Sequence, residues 1–273
     1  VERLIVVHGR RVAHRSVPDP AVVLGESMQA GIARLRPNVW LKRERAWTIS
    51  MTILAIAATA LCLALMSVDE AILRWCRTTG RPLSPFFQLI TPAGKFHWYI
   101  LLALVVFVAA GLAEWKKRTP RARAALALAY GQSAYAMTTL VSTFLAANVA
   151  KIVIGRTRPI LLDEFGPLHF VPFTTGYAHA SFPSGHATAC GTFAAILVCL
   201  FPRQAPVIFL LTVILASSRA WIGAHYASDV AAGFAVGFLL AIFIARLMAL
   251  NSVIFRLKPG IMIPRPAFHR ALR

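Results

Sequence analysis

Six stretches of the chain contain no Asp, Glu, Lys or Arg: residues 46–68, 96–113, 124–150, 187–202, 204–218 and 230–245. A helix that crosses a bilayer needs about 20 mostly apolar residues. The first three stretches meet that length, and the last three reach it only with flanking residues that are polar or charged. The pattern predicts an all-α fold, a six-transmembrane helix bundle. Residues 46–250 form its single domain, residues 1–45 an N-terminal extension and residues 251–273 a tail.

The punctuation between the stretches places the ends of the helices. Gly155 and Pro159 stop the third span just after Lys151. Gly166, Pro167, Pro172 and Gly176 make residues 160–182 a loop. Pro183 is expected to open the fourth span in its first helical turn, where a missing N–H is harmless. The N–H groups of Ser184, Gly185 and His186 would then form an anion site. Arg219 closes the fifth span, and His225 and Asp229 open the sixth, one helical turn apart.

Composition agrees with a bilayer environment. Of 273 residues, 58% are hydrophobic and only 14% charged, with a mean hydropathy of +0.66, outside the range of ordinary soluble domains. The net charge of +19 raises the question of nucleic acid, but the basic residues sit in short segments beside the spans. Nine Lys or Arg fall within residues 1–45, five between Lys116 and Arg123, and six from Arg246 onward. Such segments are topology signals and contacts for anionic lipid, so no nucleic acid partner is expected. Basic segments stay on the cytoplasmic side. Both termini are therefore expected there, in a multi-pass protein of the inner (cytoplasmic) membrane, with the polar span ends facing the periplasm or exterior. No signal-peptide pattern stands at the start, and the first span is expected to act as an uncleaved signal. Residues 21–35 read as either a short interfacial helix or a disordered stretch. The four cysteines have no metal-ligand spacing; Cys62, Cys190 and Cys199 lie in apolar runs, and Cys76 has no loop partner. Gly233 and Gly237 form a GxxxG pair that reads as helix packing.

Eleven positions in three windows carry chemistry. They are Lys151 with Arg158 and Pro159; Pro183, Ser184, Gly185 and His186; and Ser218, Arg219, His225 and Asp229. Taken singly, each cation at a span end is a snorkelling anchor, and each histidine an interfacial residue with its hydrogen bonds satisfied. Jointly they suit phosphate: obligate cations for charge, helix-start amides for oxygens, and a histidine four residues before a carboxylate. That spacing lets Asp229 hold one ring nitrogen of His225 and leave the other free to attack. Asp229 is the only acid after Glu164, and a carboxylate at the mouth of a span calls for a dedicated partner. His97, His169 and His179 lack such context.

The three windows resemble the signature of the type 2 phosphatidic acid phosphatase superfamily, in its membrane lipid phosphatase branch, and match it at all eleven positions. The windows cover only 25 residues, and residues 1–45 lie outside the likeness. The resemblance implies that His225 is the nucleophile, forming a phosphohistidine. Asp229 orients it, and His186 protonates the leaving oxygen. Lys151, Arg158, Ser184, Gly185 and Arg219 are implied to bind the substrate phosphate. No cofactor is implied, and the outer loops show no carboxylate cluster for Mg²⁺.

The expected function is metal-independent hydrolysis of a phosphomonoester or terminal phosphoanhydride on a lipid. Undecaprenyl diphosphate and lipid A phosphate are the foremost substrates, with phosphatidylglycerophosphate or phosphatidate as the alternative. Vanadium-dependent halide oxidation would use a similar site but not six apolar spans. A non-catalytic lipid-phosphate binder or transporter would not need an activated His225. Partners are thus the lipid phosphate and membrane lipids. Residues 160–182, with Asp163, Glu164, Phe165, His169, Phe170, Phe173 and Tyr177, are expected to shape the headgroup pocket. The oligomeric state is not encoded in any of these patterns.

Overall fold

Thr48 sets the start of the first apolar helix, its hydroxyl accepting the Met51 N–H, an N-cap that satisfies one of the unpaired first-turn donors. From there the computed structural model follows the hydrophobic pattern closely; it describes residues 4–7, 10–13, 45–250, 254–258 and 260–266. The helices are α1 Ile49–Met66, α2 Asp69–Arg77, α3 Ser84–Ile90, α4 Phe96–Leu112, α5 Pro120–Ile154, α6 Leu162–Phe165, α7 Gly185–Leu200, α8 Ala205–Trp221 and α9 Ala227–Leu250. Two small antiparallel ribbons accompany them, β1 Leu4–Val7 with β2 Arg10–Ala13, and β3 Phe255–Arg256 with β4 Arg265–Pro266. Residues 21–35, where an interfacial helix was one reading, lie outside the described residues.

All six apolar stretches are helical, but among the described residues five segments are long and apolar enough to cross a membrane: 49–66, 81–112, 120–154, 202–221 and 227–250. The expected fourth span is the shorter helix α7, with 16 residues. At 1.5 Å per residue it is about 24 Å long, short of the ~30 Å hydrocarbon thickness. Pro183 is not its first helical residue either. Ser184 is the N-cap, its hydroxyl accepting the Ala187 N–H, and the helix begins at Gly185. The loop over residues 160–182 contains single turns of helix at 159–161, 162–165 and 177–179.

Small residues explain the place of α7 at the centre. Its Ala, Thr, Cys and Gly positions are almost all buried, which lets α9 come close. A Cβ on Gly233 would strike the Ser184 carbonyl, and one on Gly237 the Thr188 carbonyl. The GxxxG pair is therefore a helix-packing device, as its spacing predicts. Around this centre the apolar side chains of the other helices turn outward: Ile49 is 81% exposed, Leu102 63% and Val149 60%. So much apolar surface is unsuited to water and suited to lipid, as expected of a multi-pass membrane protein.

The two ends of α9 carry different polar groups. At one end stands Asp229. About 26 Å away along the helix axis, Arg246 is fully buried and donates to the carbonyls of Ala46, Ile261 and Met262. Ile254 and Phe255 join the core there, so the described part of the C-terminal tail is packed against the bundle.

Candidate active site

Gly155 ends α5 in a left-handed conformation (φ 63°), its N–H bonded to the Lys151 carbonyl. The position requires glycine twice over, because a Cβ would also collide with the Val171 carbonyl. Beyond it, the segment up to Arg158, itself extended, passes between two parts of the loop. Val171 N–H reaches Gly155 O at 2.8 Å, Thr157 N–H reaches His169 O at 3.0 Å, Arg158 N–H reaches Ala178 O at 2.8 Å and Ser181 N–H reaches Arg156 O at 3.0 Å. This clamp fixes two arginines beneath the ends of α7 and α9.

Arg158 donates to the carbonyls of Tyr177 (3.0 Å) and Ala180 (3.2 Å) and to the Tyr177 hydroxyl (3.2 Å). Its guanidinium lies 3.9 Å from the Tyr177 ring centroid, within cation–π range. Burial lowers its pKa from the ordinary arginine value. Lys151, one turn before the end of α5, reaches Gly185: its Nζ would be 3.5 Å from a Cβ there.

His225 follows the C-terminal turn of α8, where the Arg219 carbonyl accepts the N–H groups of both Ala224 and His225. The ring is 3% exposed. Its Nδ1 stands 3.6 Å from Asp229 Oδ2 and 3.5 Å from Ser181 Oγ. Ser181 donates to the same Oδ2 at 2.6 Å, and the Tyr226 N–H does so at 3.0 Å. His225 thus precedes α9 instead of lying in it, and Ser181 sits beside its contact with Asp229. Burial brings the imidazole pKa down to about 4, opposed by Asp229 and assisted by the Arg158 and Lys151 charges. At neutral pH the ring is uncharged and available as a nucleophile.

The partner required by Asp229 is Arg156, which sequence reasoning passed over. Arg156 Nη1 donates to Asp229 Oδ1 at 2.7 Å and Nη2 to Asp69 Oδ2 at 2.9 Å. Asp69 also accepts the Ser228 N–H at 3.0 Å and the Ser228 hydroxyl. Arg156, Asp69, Ser181, Ser228 and Asp229 are all fully buried. The isolated acid was a usable signal for Arg156. Asp69 had none, since it belongs to α2, 160 positions before Asp229.

His186, Lys151, Gly185 and Arg219 line one cavity of about 480 Å³, together with Lys95, Phe96, His97, Ile100, Phe144 and Asn148. Gly94 lies directly against the His186 ring, where any side chain would overlap it. Ser218 holds this segment by donating to Thr91 Oγ1 at 2.9 Å. His186 Nε2 and Arg219 Nε are buried without a hydrogen-bond partner, an arrangement that calls for an explanation such as a ligand. The Ser184 N–H is not free for an anion, because it donates to the Asp229 carbonyl at 3.0 Å. Gly185 and His186 then remain as the first-turn amides of α7. Of the histidines without context, His97 lines the cavity beside Lys95, whereas His169 stacks on Phe165 (4.5 Å) away from it. Among the described residues, no three His, Cys, Asp or Glu side chains converge as metal ligands.

Residues 131–252 match the PAP2 superfamily. The chain is 36% identical over 173 residues to a lipid A 1-phosphatase of Rhizobium etli, covering 63% of this chain and 74% of that protein. It is 31% identical over 230 residues to a lipid A 1-phosphatase of Rhizobium johnstonii, covering 81% and 93%. An undecaprenyl-diphosphatase of Sulfolobus acidocaldarius is 33% identical over 107 residues, covering 36% and 48%.

Proposed function

Because the chain belongs to the PAP2 superfamily and is a membrane lipid phosphatase, we propose that it removes the 1-phosphate of lipid A through a phosphohistidine on His225. The observation that carries this reading is the breadth of similarity to the Rhizobium johnstonii lipid A 1-phosphatase, 81% of this chain and 93% of that protein. The convergence of the three sequence windows at one end of the bundle supports the assigned chemistry.

The uncharged His225 ring faces Asp229 with Nδ1, which leaves Nε2 for phosphorus. As the Nε2–P bond forms, the P–O bond to the lipid breaks, and His186, held as imidazolium by the bound phosphate dianion, gives its proton to the departing oxygen and becomes neutral. Asp229 stabilises the positive ring that results. A water molecule then attacks phosphorus, transferring a proton to His186, and the P–N bond breaks to release phosphate. Lys151, Arg158 and Arg219, with the first-turn amides of α7, neutralise the phosphoryl oxygens. Phosphoryl transfer depends mostly on such positioning and charge stabilisation.

The reading includes a crossing by α7 as a sixth span, which puts both termini on one side. The basic segments support a cytoplasmic location for those termini and a periplasmic or exterior site. A second reading, undecaprenyl diphosphate as substrate, is favoured by the similarity to the Sulfolobus acidocaldarius enzyme. Purified protein in detergent, offered lipid A, undecaprenyl diphosphate, phosphatidylglycerophosphate and phosphatidate with and without EDTA, separates these readings. Loss of the 1-phosphate from lipid A, insensitive to EDTA, is the expected result. Turnover of the other lipids alone overturns it.

A further inference from the structure

The cavity at the site is larger than phosphate needs. Its volume of about 480 Å³ falls within the ~300–1,000 Å³ of sites that hold whole small ligands. Lys151, Gly185, His186 and Arg219 form one side; Lys95, Phe96, His97 and Ile100 from the start of α4, with Phe144 and Asn148 from α5, form the other. Contact between Gly94 and the His186 ring brings the next residue, Lys95, to the side of the site where His186 stands. His186 serves the leaving oxygen in the reading above, so Lys95 faces the portion of substrate that keeps that oxygen. Lys95 makes no hydrogen bond or ion pair with the described residues, and no acid lines the cavity to neutralise it. Lys95 is solvent-exposed, and an unpaired ammonium beside a cavity that also holds Lys151 and Arg219 and no acid is a recognition group for an anion.

We propose that Lys95 forms a second anion subsite that selects lipids carrying a further anionic group on the retained side of the scissile bond. The inference rests on the lipid phosphatase reading and deepens it. Two sources share this chemistry: the inner phosphate of a lipid diphosphate, and a separate phosphate elsewhere on the headgroup. Asn148 offers a polar edge in the same subsite, though its amide nitrogen is already bound to the Phe144 carbonyl at 2.8 Å.

The test compares wild type, Lys95→Ala and Lys95→Arg on two matched pairs, an isoprenyl diphosphate against its monophosphate, and bisphosphorylated lipid A against the form carrying only the 1-phosphate. The expected result is that Lys95→Ala lowers kcat/KM on the doubly anionic member of at least one pair about tenfold more than on its singly anionic member. That factor is the scale of one charge-assisted hydrogen bond. Lys95→Arg should restore most of the difference. The pair that responds identifies the source of the anion. Equal responses within both pairs, whether both unchanged or both lost, overturn the proposal. Failure of wild type to release phosphate from any of the four lipids would instead refute the phosphatase reading on which it rests.

Discussion

Arg156 binds Asp229 at 2.7 Å with one guanidinium nitrogen and Asp69 at 2.9 Å with the other, and all three side chains are fully buried. A single cation thus joins the acid beside His225 to α2, outside the 131–252 segment that matches the family. Removing one partner of a buried ion pair leaves an uncompensated charge, at a cost of about 3–5 kcal/mol. Arg156→Ala is therefore expected to lower thermal stability in detergent by that order. Asp69→Asn preserves the shape but weakens the hold on Arg156 and Ser228. It should reduce kcat by roughly tenfold with little change in KM, and should leave Asp69→Glu less impaired than Asp69→Ala. A parallel rise in KM would show that Asp69 acts on substrate binding instead.

Replacement of the proposed nucleophile gives the sharpest kinetic outcome. His225→Ala should bring phosphate release to background while membrane insertion is retained, because the proposed mechanism assigns the covalent intermediate to His225 alone. Retention of about a tenth of wild-type turnover is incompatible with that role. Asp229→Asn should be severe but less complete, since the tautomer of His225 is then held wrongly. Brief reaction with radiolabelled substrate followed by alkaline quench should label wild type and not His225→Ala.

The lowered pKa of His225, about 4, has opposite readouts in activity and stability. For activity, the ring stays uncharged as pH falls through the ordinary imidazole value of ~6.5, so titration of His225 should cut kcat/KM only near pH 4. For stability, the unfolded chain binds more protons than the folded one between those two values, so stability falls as pH is lowered through that window. Denaturation at pH 7, 6, 5 and 4.5 checks the sign, and His225→Gln should flatten the dependence.

Gly94 leaves no space for a side chain beside His186. Gly94→Ala is expected to displace the ring and lower kcat by ten- to a hundredfold, with the folded state retained because the segment lies at the bundle end. Turnover close to wild type would mean that the His186 ring can occupy a different position during catalysis.

Orientation has its own measurement. On a background lacking the four native cysteines, a cysteine at Gly176 should react with a membrane-impermeant thiol reagent in intact spheroplasts. One at Thr119, the N-cap of α5 beside a basic segment, should stay unlabelled. The reverse pattern would put the site on the cytoplasmic side.

The helical fold was legible in the chain because lipid requires nearly every backbone group of a spanning segment to be satisfied within its own helix. An uninterrupted apolar stretch is then a complete local instruction. The eleven candidate positions were legible for a related reason: they stand at or near helix ends, where Gly155, Ser184 and the His225–Asp229 spacing leave a mark in the sequence. The rest depended on contacts between distant segments. Whether α7 is long enough to cross was decided by its cap at Ser184, one residue after the expected first turn, and by the end of the helix at Leu200. Asp69, Arg156, Ser181 and Ser228 meet only when α2, the clamped segment after α5 and the start of α9 are packed together. Gly94 touches His186, and Lys95 faces the site, only through the fit of the turn before α4 against α7. Buried charge and steric exclusion act through space, and their partners can lie anywhere along the chain.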